Sequence, residues 1–220
     1  MPTAVKTNLL RESVYRSLRR DILDCRLPPG RQVTEPALAR VYRTSKSPVR
    51  EALHRLERER LVEVRPRHGY RVTQISISGA KDLLEFRRLI EPFGAALAAE
   101  SGSDESLRAL DVFRGFEPAA YPDGFVEYNR KFHCAVATAC PNARVAATTH
   151  AVIEEFDRIV QVSVGAMGRR DSGQLVAEHV AIIDALQRRD AGQVGRLLRK
   201  HVDAAMKRVL SALRQHAVVP

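Results

Sequence analysis

Three observations in the sequence predict a mainly α chain in two parts: an N-terminal winged helix-turn-helix, of three helices plus a β-hairpin, and then an all-α helical bundle. Apolar positions repeat at helical spacing along most of the chain, one short stretch near residue 70 switches to strand spacing, and the basic charge sits in the first third. The 220 residues are 45% hydrophobic, which allows one large domain or two small ones. The boundary is expected near residue 75, giving 1–75 and 76–220. Residues 1–75 hold 17 Lys and Arg against 8 Asp and Glu, a net of +9 out of +10 for the whole chain. A compact basic module on a near-neutral body implies a polyanion partner for the module alone; a solvated basic surface is the plainer alternative.

The first helix is expected over residues 9–25, because Leu10, Val14, Leu18 and Ile22 recur every four residues. Leu27-Pro28-Pro29-Gly30 stops it. Thr34 can cap a second short helix, Glu35 to Val41, with Pro36 in its first turn. Tyr42-Arg43-Thr44 then turns into a third helix, Ser45–Leu56, reading SKSPVREALHRL. Val49, Ala52, Leu53 and Leu56 form one apolar stripe there, while Lys46, Arg50 and His54 line another face. Ser45 or Ser47 can cap its start, and Pro48 is tolerated in the first turn. One side of such a helix packs on a core and the other offers donors to phosphates and base edges, as a recognition helix does.

After Leu56 the period changes. Leu61, Val62 and Val64 precede Arg65-Pro66-Arg67-His68-Gly69, and Tyr70 and Val72 follow, which predicts a β-hairpin. Packed beside the helices it forms a wing, with Arg65, Arg67, His68 and Arg71 at its tip and Gly69 allowing close backbone approach. Gln74–Gly79 reads as a linker. Beyond it five helices are expected: Ala80–Ser101, Gly124–Ala139, Ala143–Met167, Ser172–Arg189 and Ala191–His216. Cys25, Cys134 and Cys140 are odd in number and lack CxxC spacing, which argues against disulfides and a cysteine zinc site. No apolar run approaches the roughly 18 residues of a membrane span, and no signal-peptide segment follows Met1, so a soluble, cytoplasmic protein is expected.

In the second part His133, His179 and His201 each fall on a different expected helix, with Asn129 one turn before His133. Imidazoles projecting inward from separate helices build metal sites in bundles, and neutral imidazole suits Zn, Ni, Cu or Fe(II). The plainer alternative is three satisfied core histidines. Three histidines and a water also make a catalytic zinc set, but no HExxH or GxSxG is present, and a DNA-binding module has no use in a hydrolase. An enzyme is therefore not expected.

The N-terminal residues resemble the GntR family of bacterial transcription regulators. The matching pieces are Leu27-Pro28-Pro29-Gly30, Leu38-Ala39, Ser45 through Leu53, Arg55-Leu56 and Gly69-Tyr70. The helical remainder resembles the FCD ligand-binding domain of the FadR-like branch, through Arg87 and Glu91, Asn129 through His133, Asn142, Glu178-His179, Ala185-Leu186 and His201. The resemblance implies that Lys46 and Arg50 contact DNA, that Ser45 and Ser47 lie near phosphates, and that His68 and Gly69 approach the minor groove. Pro36 stands where some FadR-like members carry a DNA-contacting Arg, so that contact is expected to be missing. The resemblance further implies a homodimer on a palindromic DNA operator and a divalent transition metal, Zn or Ni, held by Asn129, His133, His179 and His201. Asn replaces Asp in that set and removes one negative charge. A small carboxylate metabolite would then bind at the metal, with Arg87 as a bidentate fork; an i,i+4 ion pair with Glu91 is the other reading of Arg87. Repression relieved by the metabolite is the expected mode of control; a DNA-binding regulator with structural histidines and a helical domain that only dimerises is the alternative.

Overall fold

The computed structural model describes residues 3–164 and 172–216, with side chains over 9–161 and 172–214. The chain divides into two compact units, Met1–Ile75 and Ser76–Pro220.

In the first unit, α1 (Thr3–Leu23), α2 (Glu35–Val41) and α3 (Lys46–Arg58) accompany a small sheet of β1 (Gln32–Val33), β2 (Val62–Arg65) and β3 (Gly69–Val72). The expected spacing holds over three of its four positions: Val14, Leu18 and Ile22 of α1 meet Val49, Ala52, Leu53 and Leu56 of α3 in one core, while Leu10, a turn beyond the reach of that core, is exposed. Thr34 caps α2 by accepting from the Ala37 amide at 3.4 Å. Ser45 occupies the cap position of α3 with extended backbone, yet its hydroxyl makes no capping bond, so the expected cap is correct in place and absent in chemistry. The expected hairpin forms from β2 and β3, and a third strand that was not expected joins it. β1 pairs with β3 through Gln32–Arg71 and Val33–Tyr70, and the sheet runs β1-β3-β2, all antiparallel. A two-residue strand offers no period to read.

The second unit is built on α4 (Ile77–Ser101), which packs against α6 (Gly124–Thr138), α7 (Ala143–Val164), α8 (Ser172–Gln187) and α9 (Ala191–His216). A short α5 (Asp104–Arg108) and two 3-10 turns fill the segment between α4 and α6. The linker expected at Gln74–Gly79 is shorter than that. Ser76 accepts from the Gly79 amide at 3.0 Å and starts α4 three residues before Ala80. The segment after α4 was expected only to separate helices, whereas Ser103 caps α5 by accepting from the Ser106 amide at 3.1 Å. Asn142 opens α7 in the same manner, accepting from the Arg144 and Val145 amides at 3.1 and 3.2 Å. The expected end of that helix at Met167 lies outside the described residues.

The core of this unit joins Ala95, Ala98 and Ala99 of α4 to Tyr128, Phe132 and Val136 of α6, Ile182, Ile183 and Leu186 of α8, and Val194 and Leu198 of α9. At the turn between α8 and α9, Arg189 adopts a left-handed backbone, φ +56°. Its guanidinium donates to the Ala99 carbonyl at 3.2 Å, to the Gly102 carbonyl at 3.0 Å and to the Asp104 carboxylate. These bonds fasten the turn to the C-terminal end of α4.

Candidate nucleic-acid interface and metal centre

On α3 the stripe Val49, Ala52, Leu53, Leu56 is buried, which turns Ser45, Lys46, Ser47, Arg50 and His54 to the exposed side. Lys46, Arg50 and His54 thus share the face their spacing gave them. Arg50 is not idle there. Its Nε and Nη2 donate to the two carboxylate oxygens of Glu35 on α2, each at 2.8 Å. Sequence reasoning missed this partner, because the two residues lie 15 apart on different helices. In the wing, Glu63 holds Arg71 at 2.6 Å and Arg65 at 3.0 Å. Of the four residues expected at the tip, Arg67 and His68 are exposed while Arg65 and Arg71 already have a carboxylate. Gly69 has a reason of its own within the fold. It sits at φ +83°, and a Cβ there would meet the Val33 carbonyl oxygen at 2.7 Å. The glycine is demanded by the approach of β3 to β1, whatever else comes near it.

The second unit buries all three histidines. His133 on α6, His179 on α8 and His201 on α9 stand on the apolar stripes of their helices, so folding carries them inward with the leucines and phenylalanines. One ring nitrogen of each lies within 4.8 Å of the others. Their outer nitrogens meet separate partners. His201 Nδ1 donates to Glu178 Oε2 at 2.6 Å. His179 Nδ1 lies 3.3 Å from the Tyr128 hydroxyl, which itself donates to the Phe113 carbonyl at 2.7 Å and so accepts from the ring. His133 Nδ1 contacts Glu91 Oε2 at 2.9 Å, bent away from a straight hydrogen bond. These partners assign protons to the Nδ1 atoms and leave lone pairs on the Nε2 atoms. His133 Nε2 and His201 Nε2 then face each other at 3.2 Å, and the buried His179 Nε2 has no hydrogen-bond partner.

The electrostatics favour neutral rings at His133 and His179. Burial pushes the His133 pKa down to about 4 despite the pull of Glu91, and burial together with its two neighbouring histidines pushes His179 down further. Burial works to raise Glu91, but Arg87 and His133 outweigh it and hold the carboxyl at about 2. Arg87 is fully buried, ion-paired with Glu91 one turn along α4, and its guanidinium lies 4.2 Å from the Phe156 ring centre. Its Nη1 has no hydrogen-bond partner, so the ion pair uses part of the fork and leaves part of it over. Asn129 is half-buried on α6, one turn from His133. Three buried imidazoles, one nitrogen of each within 4.8 Å of the others and each with an oxygen near its outer nitrogen, are a donor set that suits a borderline divalent cation.

Sequence reasoning missed Tyr128 as the partner of His179. The available signal was its place one residue before Asn129, with Phe132 and Val136 continuing its stripe. Cys134 is a poor thiolate, since burial pushes its pKa up to about 12, and Cys140 is buried. No helix among the described residues is long and apolar enough to cross a membrane.

Residues 10–72 match the family described as bacterial regulatory proteins, gntR family, and residues 82–204 match the FCD domain. The uncharacterized HTH-type transcriptional regulator BphR of Paraburkholderia xenovorans (strain LB400) is 28% identical, over 94% of this chain and 86% of its own length. The HTH-type transcriptional repressor RspR of Escherichia coli (strain K12) is 27% identical, over 89% of this chain and 87% of its own. A solved structure of a GntR transcriptional regulator from Rhodococcus sp. RHA1 superposes with a TM-score of 0.76 at 26% identity, covering 92% of this chain and 98% of that one.

Proposed function

Since the chain belongs to the GntR family of DNA-binding transcriptional regulators, with an FCD domain as its second unit, we propose that it is a repressor released from a palindromic operator when a small carboxylate binds beside a metal ion in the helical unit. It is a regulator and not an enzyme, as its family and relatives are.

The observation that carries the metal reading is the meeting of three Nε2 lone pairs in a buried space. His133 and His201 present theirs to each other at 3.2 Å, and His179 presents one with no partner at all. A buried acceptor without a donor costs about 1–3 kcal/mol, and a shared cation removes that cost. Zn or Ni suits the three nitrogens, with Asn129 as a neutral oxygen ligand from the same helix as His133. The charge that an Asp would bring is supplied one bond further out, by Glu91 behind His133 and Glu178 behind His201. Such an ion, when bound, supplies a positive centre for a carboxylate. Arg87 adds its spare Nη1 to the same anion while Glu91 keeps its Nε in place.

DNA is read by Lys46 and Arg50 of α3, with Ser45 and Ser47 at phosphates and His54 at the far end of the same face; Arg67, His68 and Gly69 of the wing lie along the adjoining minor groove. One such unit covers a half-site, so the working form is a homodimer. Phe86, Leu89 and Phe93 support this, since they fall on one face of α4 and are 45%, 69% and 54% exposed. The carboxylate can act on DNA affinity only through unequal affinity for the two arrangements of the dimer.

Elemental analysis of purified protein, followed by thermal shift against organic acids with and without Zn or Ni, tests the reading. A transition ion lost in the His133→Ala/His201→Ala variant, and a metal-dependent shift with at least one acid, are expected. Metal-free protein indifferent to chelator and to every acid would favour histidines that serve only the core.

A further inference from the structure

On the exposed side of the first unit, one carboxylate stands among the cations of α3. Glu35 accepts from Arg50 Nε and Nη2 at 2.8 Å each, while Lys46 and His54 of the same face lie close enough to pull its pKa below the carboxylate range after Arg50 itself. A guanidinium has two edges on which a planar acceptor can pair. Glu35 occupies the Nε/Nη2 edge. Nη1 and the outer hydrogen of Nη2 remain as a second fork, of the shape that pairs with guanine O6 and N7. The exposures point the same way: the Arg50 side chain is 58% exposed and that of Glu35 is 19%, so the carboxylate lies beneath and the guanidinium outward. Glu35 is itself well fixed, between the Thr34 cap and the ring of Pro36 in the first turn of α2.

We propose that Glu35 is a positioning residue for base recognition: it grips one edge of Arg50 and presents the other to a guanine in each half-site. Its negative charge also repels phosphate, so Arg50 cannot settle on the sequence-blind backbone as a free surface arginine would. This rests on Arg50 as a DNA contact. A side chain held in its bound geometry before binding loses less freedom on binding. A good bidentate arginine–guanine pair discriminates by about 5- to 150-fold, and Glu35 controls how much of that is realised.

The test incubates the full-length protein with a pool of randomised duplexes and sequences the bound fraction, for wild type, E35Q, E35A, R50A and E35A/R50A. Wild type is expected to enrich a symmetric motif with a guanine that R50A loses. E35Q and E35A should lose most of the preference at that one position, by about 5-fold or more, with the other positions intact and affinity for random duplex unchanged or raised. E35A should add nothing in the R50A background. E35Q and E35A proteins that keep the guanine preference, or that bind all DNA more weakly with the motif intact, would overturn the proposal. R50A with the wild-type motif, or a wild type that enriches no motif, would overturn it together with the assignment of Arg50.

Discussion

Replacing His179 by leucine separates a metal centre from a merely buried histidine, because the two readings predict opposite dependence on metal. The ring is fully buried, stacked on Phe132 with centres 3.9 Å apart and bonded through Nδ1 to Tyr128 at 3.3 Å. Removing it without metal loses a hydrogen bond of about 0.5–1.5 kcal/mol and a stack of about 0.5–1.5 kcal/mol. It also removes the unpartnered Nε2, which costs about 1–3 kcal/mol while it stays. The terms nearly cancel, and Tyr128 keeps its bond to Phe113. Chelator-treated His179→Leu should therefore match chelated wild type to within about 1 kcal/mol. With the metal at 100 times its dissociation constant the wild type gains about 2.7 kcal/mol, or about 5–10 °C for a protein of this size. His179→Leu, short of one ligand, should gain little. Calorimetric melting of both proteins, each with EDTA and with excess Zn, reads this directly. Equal destabilisation of the variant in both conditions would refute the metal argument.

Lys46→Ala combined with Arg50→Ala should abolish operator-specific binding in a gel shift while circular dichroism stays unchanged, and wild-type log K should fall linearly with log[salt] as phosphates are neutralised; a flat plot would remove DNA as the partner. Gly69→Ala forces a left-handed alanine, at about 1–2 kcal/mol, against the Val33 carbonyl, so its urea midpoint should drop; an unshifted midpoint would show that β1 yields. In chelated protein His133 and His179 stay neutral when folded, whereas in the unfolded chain they titrate near 6.5, so the unfolded state binds more protons and stability falls as pH is lowered from about 6.5 towards 4. Glu91, depressed to about 2, adds stability above its unfolded value that is lost only below pH about 4. Urea midpoints that do not change from pH 7 to 4.5 would contradict this.

What could be read from the sequence was whatever obeys a period or occupies a cap. The stripe of α3, the Thr34 cap and the inward register of the histidines follow from local spacing, because i, i+4 and i+7 share a face whatever lies opposite. The shell around the site was not legible in this way. Glu178 precedes His179 in sequence yet serves His201, since neighbouring helical residues point about a third of a turn apart. Tyr128 reads as one more core aromatic until Phe113 and His179 are seen on its hydroxyl. Glu35 and Arg50 belong to separate helices, and β1 is too short to carry a pattern. Contacts between elements depend on how the elements pack, which spacing within one element does not encode.

Arg189 gives the C-terminal end of α4 a fastening outside the core. It ties the turn between α8 and α9 to the last carbonyls of α4, so that end is pinned to the helices bearing His179 and His201. The opposite end, at Ile77, begins just after the first unit ends at Ile75. Along its 25 residues, roughly 37 Å, α4 carries Arg87 and Glu91 between that fastening and its own start. The other half of the helix is held as well, by buried Ala80 and Leu84 and by Arg88, which donates to Asp203 of α9 at 2.6 Å. Fastenings to α9 and to the α8–α9 turn thus stand on both sides of the buried Arg87–Glu91 pair, a frame that holds the histidine-bearing helices in register.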